Sequence, residues 1–358
     1  MYKQKYIRYS EQKLTGLWVY YKHIEPLLKA LSSSVFTKSI CGYSENEIPI
    51  HQISIGTGSK KILLWSQMHG DESTATKVLF DIFNYIQAEY QTDKQLVKLL
   101  KAYTLVFVPM LNPDGALTYT RENANNVDLN RDALALKTNG GQVLNRLIRT
   151  LKPHYAFNLH DQDSFYNVAG TDQVATFSFL APAADRLKTL TASRKQAMSV
   201  IYTMYESLQN DLRNQMGRYN DTYCDNCFGD QIQKMGVPTI LIESGHYPND
   251  ANREETRKFH FIALLSALFK IASNNLPDYK GYFSIPSNEK LFYDIRYNNV
   301  IYKGVNTSIA IRYNDFVVNG KLTKVILKEQ TIYGDHLEGK LFHKIIDAKG
   351  KDFSIIQN

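Results

Sequence analysis

Two hydrophobic patterns alternate along the first 270 positions. Apolar runs or strict alternations typical of strands occur at residues 50–55, 61–67, 102–110, 155–159, 176–180 and 238–242. Apolar residues recur at helical spacing at residues 73–90, 141–151, 182–212 and 253–271. Strands that alternate with helices predict an α/β fold with a mixed, mostly parallel sheet and helices on both faces.

The two ends of the chain have different patterns. Between Leu14 and Leu31 apolar residues lie at near-helical spacing, so we expect residues 1–45 to be a helical extension. Residues 275–278 are typical of a linker, and residues 280–358 contain short alternating segments with an Asn319-Gly320 hairpin signal. The prediction is a catalytic domain at residues 1–274 and a small all-β domain at residues 280–358.

Composition narrows the possible classes of protein. The 358 residues carry a net charge of +7 without a Lys/Arg cluster, so we expect no nucleic-acid partner. No apolar run reaches the roughly 18 residues of a membrane span, and the first residues lack a secretory pattern. We therefore expect a cytoplasmic protein with no membrane partner.

The cysteines give a weaker signal. An odd total of 3 argues against a disulfide framework. Cys224 and Cys227 form a C-x-x-C without a second pair, which is incomplete as a zinc site, so we interpret them as buried or loop thiols.

Polar side chains follow three of the predicted strands. His69 and Glu72 come just after residues 61–67, while His160 and Glu243 come just after residues 155–159 and 238–242. Proteins with such sheets bind their small-molecule ligands at the carboxyl ends of the strands. A catalytic zinc ion takes about three nitrogen or oxygen ligands and leaves one position open. His69, Glu72 and His160 are therefore the candidate metal ligands.

The remaining polar residues suggest a hydrolytic site. Glu243 ends an apolar strand, where desolvation raises the pKa of a carboxyl and suits it to act as a general base. Arg121 and Arg131 lie in one loop region, and guanidinium groups bind carboxylates and stabilise oxyanions.

In this order the motifs resemble those of the M14 family of zinc metallocarboxypeptidases, the carboxypeptidase A type. The resemblance covers roughly residues 40–270 and consists of these matching pieces: His69-x-x-Glu72, Asn112-Pro113-Asp114-Gly115, Arg121, Asn130-Arg131, His160 and Glu243. The complete ordered set is specific, whereas His-x-x-Glu alone is not.

The resemblance implies a fold and a role for each residue. The fold would be a mixed eight-stranded sheet flanked by helices. One zinc ion would be bound by His69, Glu72 and His160, with Glu243 as the general base and acid. Arg121 would polarise the scissile carbonyl, and Asn130 and Arg131 would bind the terminal carboxylate of a peptide. A family tyrosine precedes the catalytic glutamate; Tyr219 and Tyr223 both qualify, and we prefer Tyr223.

One departure leaves alternatives open. Asp71 occupies a position where digestive members carry arginine, and His-Gly-Asp-Glu is more like branches that cleave murein peptides or deacylate N-acyl amino acids. A zinc amidase or deacylase acting on an acyl-amino-acid substrate is therefore the alternative to a carboxypeptidase. A binding module with a decayed site would lack a ligand or base, and none is missing. The C-terminal β domain could dock a partner, and the oligomeric state is left open.

Overall fold

The computed structural model describes residues 2–356, which form sixteen strands and ten helices. The strands are β1 Thr37–Tyr43, β2 Pro49–Ile55, β3 Lys60–Ser66, β4 Tyr103–Val108, β5 Tyr155–Asp161, β6 Asn167–Val168, β7 Phe177–Leu180, β8 Met216–Arg218, β9 Thr239–Ser244, β10 Asn288–Glu289, β11 Phe292–Tyr302, β12 Val305–Ile311, β13 Tyr313–Val318, β14 Lys321–Ile326, β15 Ile332–Tyr333 and β16 Leu341–Asp347. The helices are α1 Tyr2–Tyr9, α2 Tyr21–Ala30, α3 Thr74–Glu89, α4 Lys94–Ala102, α5 Pro113–Thr118, α6 Asn139–Leu151, α7 Ala192–Leu208, α8 Phe228–Lys234, α9 Glu254–Ser273 and α10 Phe353–Ile356.

An eight-stranded mixed sheet forms the centre of the fold, in the order β1-β2-β4-β3-β5-β9-β7-β8. Strands β4, β3, β5 and β9 are mutually parallel, whereas β1, β2 and β7 pair antiparallel with their inner neighbours. The predicted α/β class with a mixed eight-stranded sheet is thus confirmed.

Helices cover both faces of this sheet because its central strands are apolar on both sides. Along β3, Ile62 and Leu64 join the core that contains α3, α7 and α9. The alternate residues Leu63 and Trp65 join a second core with α6 and α8. Each face of the strand is therefore buried, as its continuous apolar character predicts.

The register of the parallel strands determines which residues meet at the carboxyl edge of the sheet. His160 of β5 lies opposite Glu243 of β9, and Ser66 at the end of β3 lies opposite Leu159. The carboxyl ends of three neighbouring strands therefore meet at one edge, where the ligand site of such folds lies.

The N-terminal region differs in part from the helical extension predicted for residues 1–45, because Thr37–Tyr43 form the edge strand β1 of the large sheet. Helices α1 and α2 are present, but residues 10–20, which we call the N-terminal strap, are extended or turn-like. Four polar side chains of the main body donate to backbone carbonyls of the strap: Gln67 to Val19, Ser73 to Leu17, Lys77 to Gly16 and Arg257 to Leu14. The strap is therefore anchored on both sides of the segment that contains His69 and Glu72.

The C-terminal residues form small β-sheets beside the large sheet. Strands β15, β12, β11 and β16 make a four-stranded sheet, and β13 and β14 form a hairpin. Asn319 and Gly320 make its two-residue loop, both with positive φ (51° and 73°), so the predicted hairpin is confirmed. His343 of β16 lies with its Nε2 2.7 Å from the carbonyl oxygen of Ser164, so the four-stranded sheet contacts the segment that follows β5. The division into domains at residues 1–274 and 280–358 stays a prediction.

Across residues 2–356, no helix combines the length and the apolar character that crossing a membrane requires.

Candidate metal centre

His69, Glu72 and His160 form a compact buried cluster at the carboxyl edge of the sheet. Their ligand atoms all lie within 4.8 Å of one another. The two Nδ1 atoms of His69 and His160 are 3.2 Å apart, and each is 2.7 Å from one oxygen of Glu72. Ligands bonded to zinc at 2.0–2.1 Å in tetrahedral geometry are about 3.3 Å apart, so the donor set fits this ion.

The turn between His69 and Glu72 is fixed by close backbone packing. A Cβ atom added to Gly70 would lie 1.8 Å from the carbonyl carbon of Gly115, so this position accepts only glycine. The Gly70 amide donates to the carbonyl oxygen of Thr120 at 2.9 Å. The predicted Asn112-Pro113-Asp114-Gly115 turn begins α5 and thereby supports the loop that carries two of the three ligands.

Asp128 orients the His69 ring, a role that the sequence analysis missed. His69 Nε2 lies 3.1 Å from Asp128 Oδ1, and Asp128 also accepts hydrogen bonds from Arg121 Nε at 2.9 Å and the Asn130 amide at 2.7 Å. A proton on Nε2 leaves the lone pair of Nδ1 for a metal, the usual carboxylate–histidine–metal arrangement. The feature of the sequence that could have identified Asp128 is its position two residues before Asn130-Arg131.

Charge in the cluster is balanced between carboxylates and imidazoles. Burial alone would lower the pKa of His69, but the carboxylates of Glu72 and Asp128 outweigh it and raise the pKa to about 9. Burial would raise the pKa of Glu72, but His69 and His160 hold it well below its usual range. Buried His160 Nε2 has no hydrogen-bond partner among the described residues. A cation therefore finds ionised oxygen donors here and competes with a proton on His69.

Glu243 lies beside the cluster on the neighbouring strand. Part of its side chain is accessible, yet desolvation, followed by repulsion from Glu72, raises the pKa of Glu243 well above its usual range. Arg121 opposes this effect. A carboxyl whose pKa is raised is a better proton acceptor than an ordinary carboxylate, so Glu243 is the candidate general base.

The arginine and asparagine candidates surround the cluster. Arg121 Nη1 lies 3.4 Å from Glu72 Oε1, and 39% of its side chain is exposed, so its remaining donors can reach a ligand. Arg131 is exposed and lies against Cys227, with 3.1 Å between Nη1 and Sγ. Asn130 Oδ1 accepts a hydrogen bond from the amide of Phe228, which ties this loop to α8.

The two tyrosine candidates occupy different surroundings. The Tyr219 hydroxyl lies 2.6 Å from that of Tyr166, and burial followed by the charge of Glu243 raises the pKa of Tyr219. The Tyr223 hydroxyl instead accepts a hydrogen bond from Gln231 of α8 at 3.3 Å. Our preference for Tyr223 stays a prediction.

Cys224 and Cys227 form a disulfide, so the interpretation as thiols was wrong. Their Cα atoms are 5.4 Å apart, within the range that a disulfide bridges, because a turn at residues 225–226 brings them together. Among the described cysteines Cys41 is the free one. The disulfide lies at the start of α8, next to Arg131.

Comparisons with known proteins agree with this geometry. Residues 20–145 match the zinc carboxypeptidase family. Carboxypeptidase SOL1 of Arabidopsis thaliana is 42% identical over 65 residues, which is 18% of this chain and 13% of that protein. Carboxypeptidase 2 of Trichophyton rubrum is 30% identical over 105 residues, 29% of this chain and 19% of that protein. The matched segments thus span less than a fifth of either relative.

Solved structures share the fold over a larger part of the chain. A metallo-carboxypeptidase from Burkholderia cenocepacia is similar with a TM-score of 0.59 at 17% identity, covering 71% of this chain and 69% of that one. A metallo-carboxypeptidase from Pseudomonas aeruginosa gives a TM-score of 0.54 at 15% identity, covering 71% and 68%.

Taken together, the mixed sheet and the His-Glu-His cluster at its carboxyl edge define an α/β protein with a candidate metal centre. Residues 20–145 are thus similar to the zinc carboxypeptidase family, and solved metallo-carboxypeptidases share the fold of the chain.

Proposed function

We propose that this protein is a zinc-dependent carboxypeptidase that hydrolyses the C-terminal peptide bond of its substrate. The observation that carries the proposal is the convergence of His69, Glu72 and His160, whose ligand atoms lie within 4.8 Å of one another, beside Glu243. Three buried donors with one flanking carboxyl match what metal-assisted amide hydrolysis requires.

Each side chain has a distinct task in this proposal. Zinc held by His69, Glu72 and His160 would supply Lewis acidity and lower the pKa of a water molecule. Glu243 takes a proton from the attacking water at its carboxylate and later returns it to the leaving amine, which its raised pKa favours. Arg121, partly exposed beside Glu72, donates to the oxygen on which negative charge develops.

Arg131 and Asn130 favour an exopeptidase. The exposed guanidinium of Arg131 can donate two parallel hydrogen bonds to a terminal carboxylate. Asn130 is fixed to α8 through its side-chain oxygen, which holds the loop next to Arg131 in place. A substrate bound in this way presents its last peptide bond to the metal cluster.

The base is tested by Glu243→Gln, which keeps the shape of the side chain and removes its basicity. We expect kcat for a blocked dipeptide to fall by roughly 10²–10⁴-fold, with an unchanged zinc stoichiometry of one per chain. Glu338→Gln, at an exposed glutamate, is the matched control and should retain wild-type kcat. Full activity of the Glu243→Gln variant would remove Glu243 as the base.

An amidase or deacylase is the second candidate, and Asp71 is the observation that favours it. Asp71 stands where the digestive members carry arginine, and an aspartate is never cationic, so this position offers a substrate no cationic contact. Initial rates on three substrates separate the candidates: a blocked dipeptide, an N-acyl amino acid and a γ-D-glutamyl-diaminopimelate peptide. A preference for either of the last two would replace the carboxypeptidase assignment.

A further inference from the structure

Arg253 joins the two strand ends that carry His160 and Glu243. Its Nη1 donates to the carbonyl oxygen of Ser244 at 2.8 Å, and its Nη2 donates to that of Gln162 at 2.7 Å. Ser244 directly follows Glu243, and Gln162 is the second residue after His160. One guanidinium therefore spans both chain segments where they leave the sheet.

The backbone of these segments is linked at the same point. The Gln162 amide donates to the Ser244 carbonyl oxygen at 2.9 Å, so that oxygen accepts from both Gln162 and Arg253. The two arms of the guanidinium are rigid and coplanar, and this geometry fixes the distance between the two carbonyls. The ammonium group of a lysine, on its flexible chain, would not fix this distance.

A second path runs from Arg253 to Glu72 through Asp161. Arg253 Nη1 lies 3.4 Å from Asp161 Oδ2, which also accepts from the amide and hydroxyl of Thr74 at 3.1 and 2.8 Å. The Asp161 amide donates to Glu72 Oε2 at 3.2 Å. The cation therefore compensates a buried carboxylate whose backbone contacts a candidate metal ligand.

The backbone of Arg253 is itself in an uncommon conformation. It precedes α9 with φ 57° and ψ 32°, the left-handed region that non-glycine residues rarely adopt. Such a conformation persists where surrounding contacts hold it, and residues of this kind concentrate at functional sites.

We propose that Arg253 is a positioning residue for the hydrolytic reaction: it fixes the relative placement of His160, Glu243 and Glu72 without touching the substrate. The inference rests on the proposed function. It predicts that substituting Arg253 lowers kcat by more than any loss of stability explains.

The test compares matched arginine-to-lysine variants. Arg253→Lys keeps the charge but loses the fork, and Arg253→Met loses both. We expect kcat for a blocked dipeptide to fall roughly tenfold in the first and roughly a hundredfold in the second, with KM within about twofold of wild type. Arg257→Lys is the control, because Arg257 is a buried arginine in the first turns of α9 that pairs with Asp81 and not with a residue of the metal cluster.

Hydrogen exchange supplies a readout that does not depend on activity. The Gln162 amide should exchange faster in Arg253→Lys than in wild type and keep wild-type protection in Arg257→Lys. Wild-type kcat in Arg253→Lys, or an equal loss of kcat in both lysine variants, would overturn the inference. If the wild-type enzyme hydrolyses no peptide, the proposed function fails, and unchanged Gln162 exchange in Arg253→Lys would then separately overturn the positioning role.

Discussion

The buried His260 makes stability depend on pH in a way that can be calculated. His260 lies on α9, with Nδ1 2.9 Å from Ser244 Oγ and its ring edge-on to Phe177, and its Nε2 has no partner among the described residues. Burial lowers the pKa of His260 from 6.5 to about 3. The folded protein therefore keeps this ring neutral at pH values where the unfolded chain protonates it.

The sign and size follow from proton linkage. Above pH 6.5 both states are neutral at this site and nothing is lost; below it the unfolded state binds a proton that the folded state does not. Between pH 7 and pH 5 the unfolded ring is mostly protonated over about 1.5 pH units, the interval below its pKa of 6.5. At about 1.36 kcal/mol per unit, this removes about 2 kcal/mol from the free energy of unfolding.

Urea denaturation at pH 7 and pH 5 measures this loss. In His260→Gln, which keeps a polar partner for Ser244, the drop in unfolding free energy between the two pH values should be smaller than in wild type by about 2 kcal/mol. His336→Gln, at an exposed histidine, is the control. An identical drop in wild type and His260→Gln would refute the reasoning.

Three further predictions concern the candidate site. Asp128→Asn should weaken zinc binding by roughly 10–100-fold in a chelator competition assay, because the asparagine holds the His69 ring less firmly; unchanged affinity would exclude this role. Arg131→Ala should raise KM for a free C-terminal carboxylate by roughly tenfold or more and leave a C-terminally amidated peptide unaffected. Replacing Cys224 and Cys227 by serine opens a four-residue loop and should cost about 2 kcal/mol of unfolding free energy in urea titrations; a stability equal to wild type would contradict that value.

The parts of the fold that hydrophobic pattern specifies were predictable. Each of the apolar segments at residues 61–67, 102–110, 155–159 and 238–242 is a strand of the large sheet, because a strand buried on both faces must be apolar throughout. The convergence of His69, Glu72 and His160 was also predictable, since parallel strands end at one edge.

Short or locally ambiguous elements were not predictable in the same way. Helix α8 has too few turns to show a period, and α4 was missed although its buried Leu96, Leu99 and Leu100 lie at helical spacing. Residues 182–191 were predicted helical, although α7 begins only at Ala192. Here a proline and turn residues precede the helix, and its N-terminal cap is the side chain of Thr191.

Long-range polar partners explain the remaining misses. Asp128 and His69 are 59 residues apart, so no local pattern pairs them. The disulfide depends on a turn that places Cys224 and Cys227 within bonding distance, and a C-x-x-C spacing alone does not specify that turn.

The N-terminal strap has a practical consequence for anyone expressing part of this protein. The family match begins at residue 20, so a fragment cut at that boundary would omit all of the strap except Tyr20. Lys77 and Arg257, both buried, would then lose backbone acceptors that water cannot easily replace, and Gln67 and Ser73 would lose theirs beside the ligand loop. A minimal fragment that keeps these contacts therefore has to start upstream of the segment that matches the family.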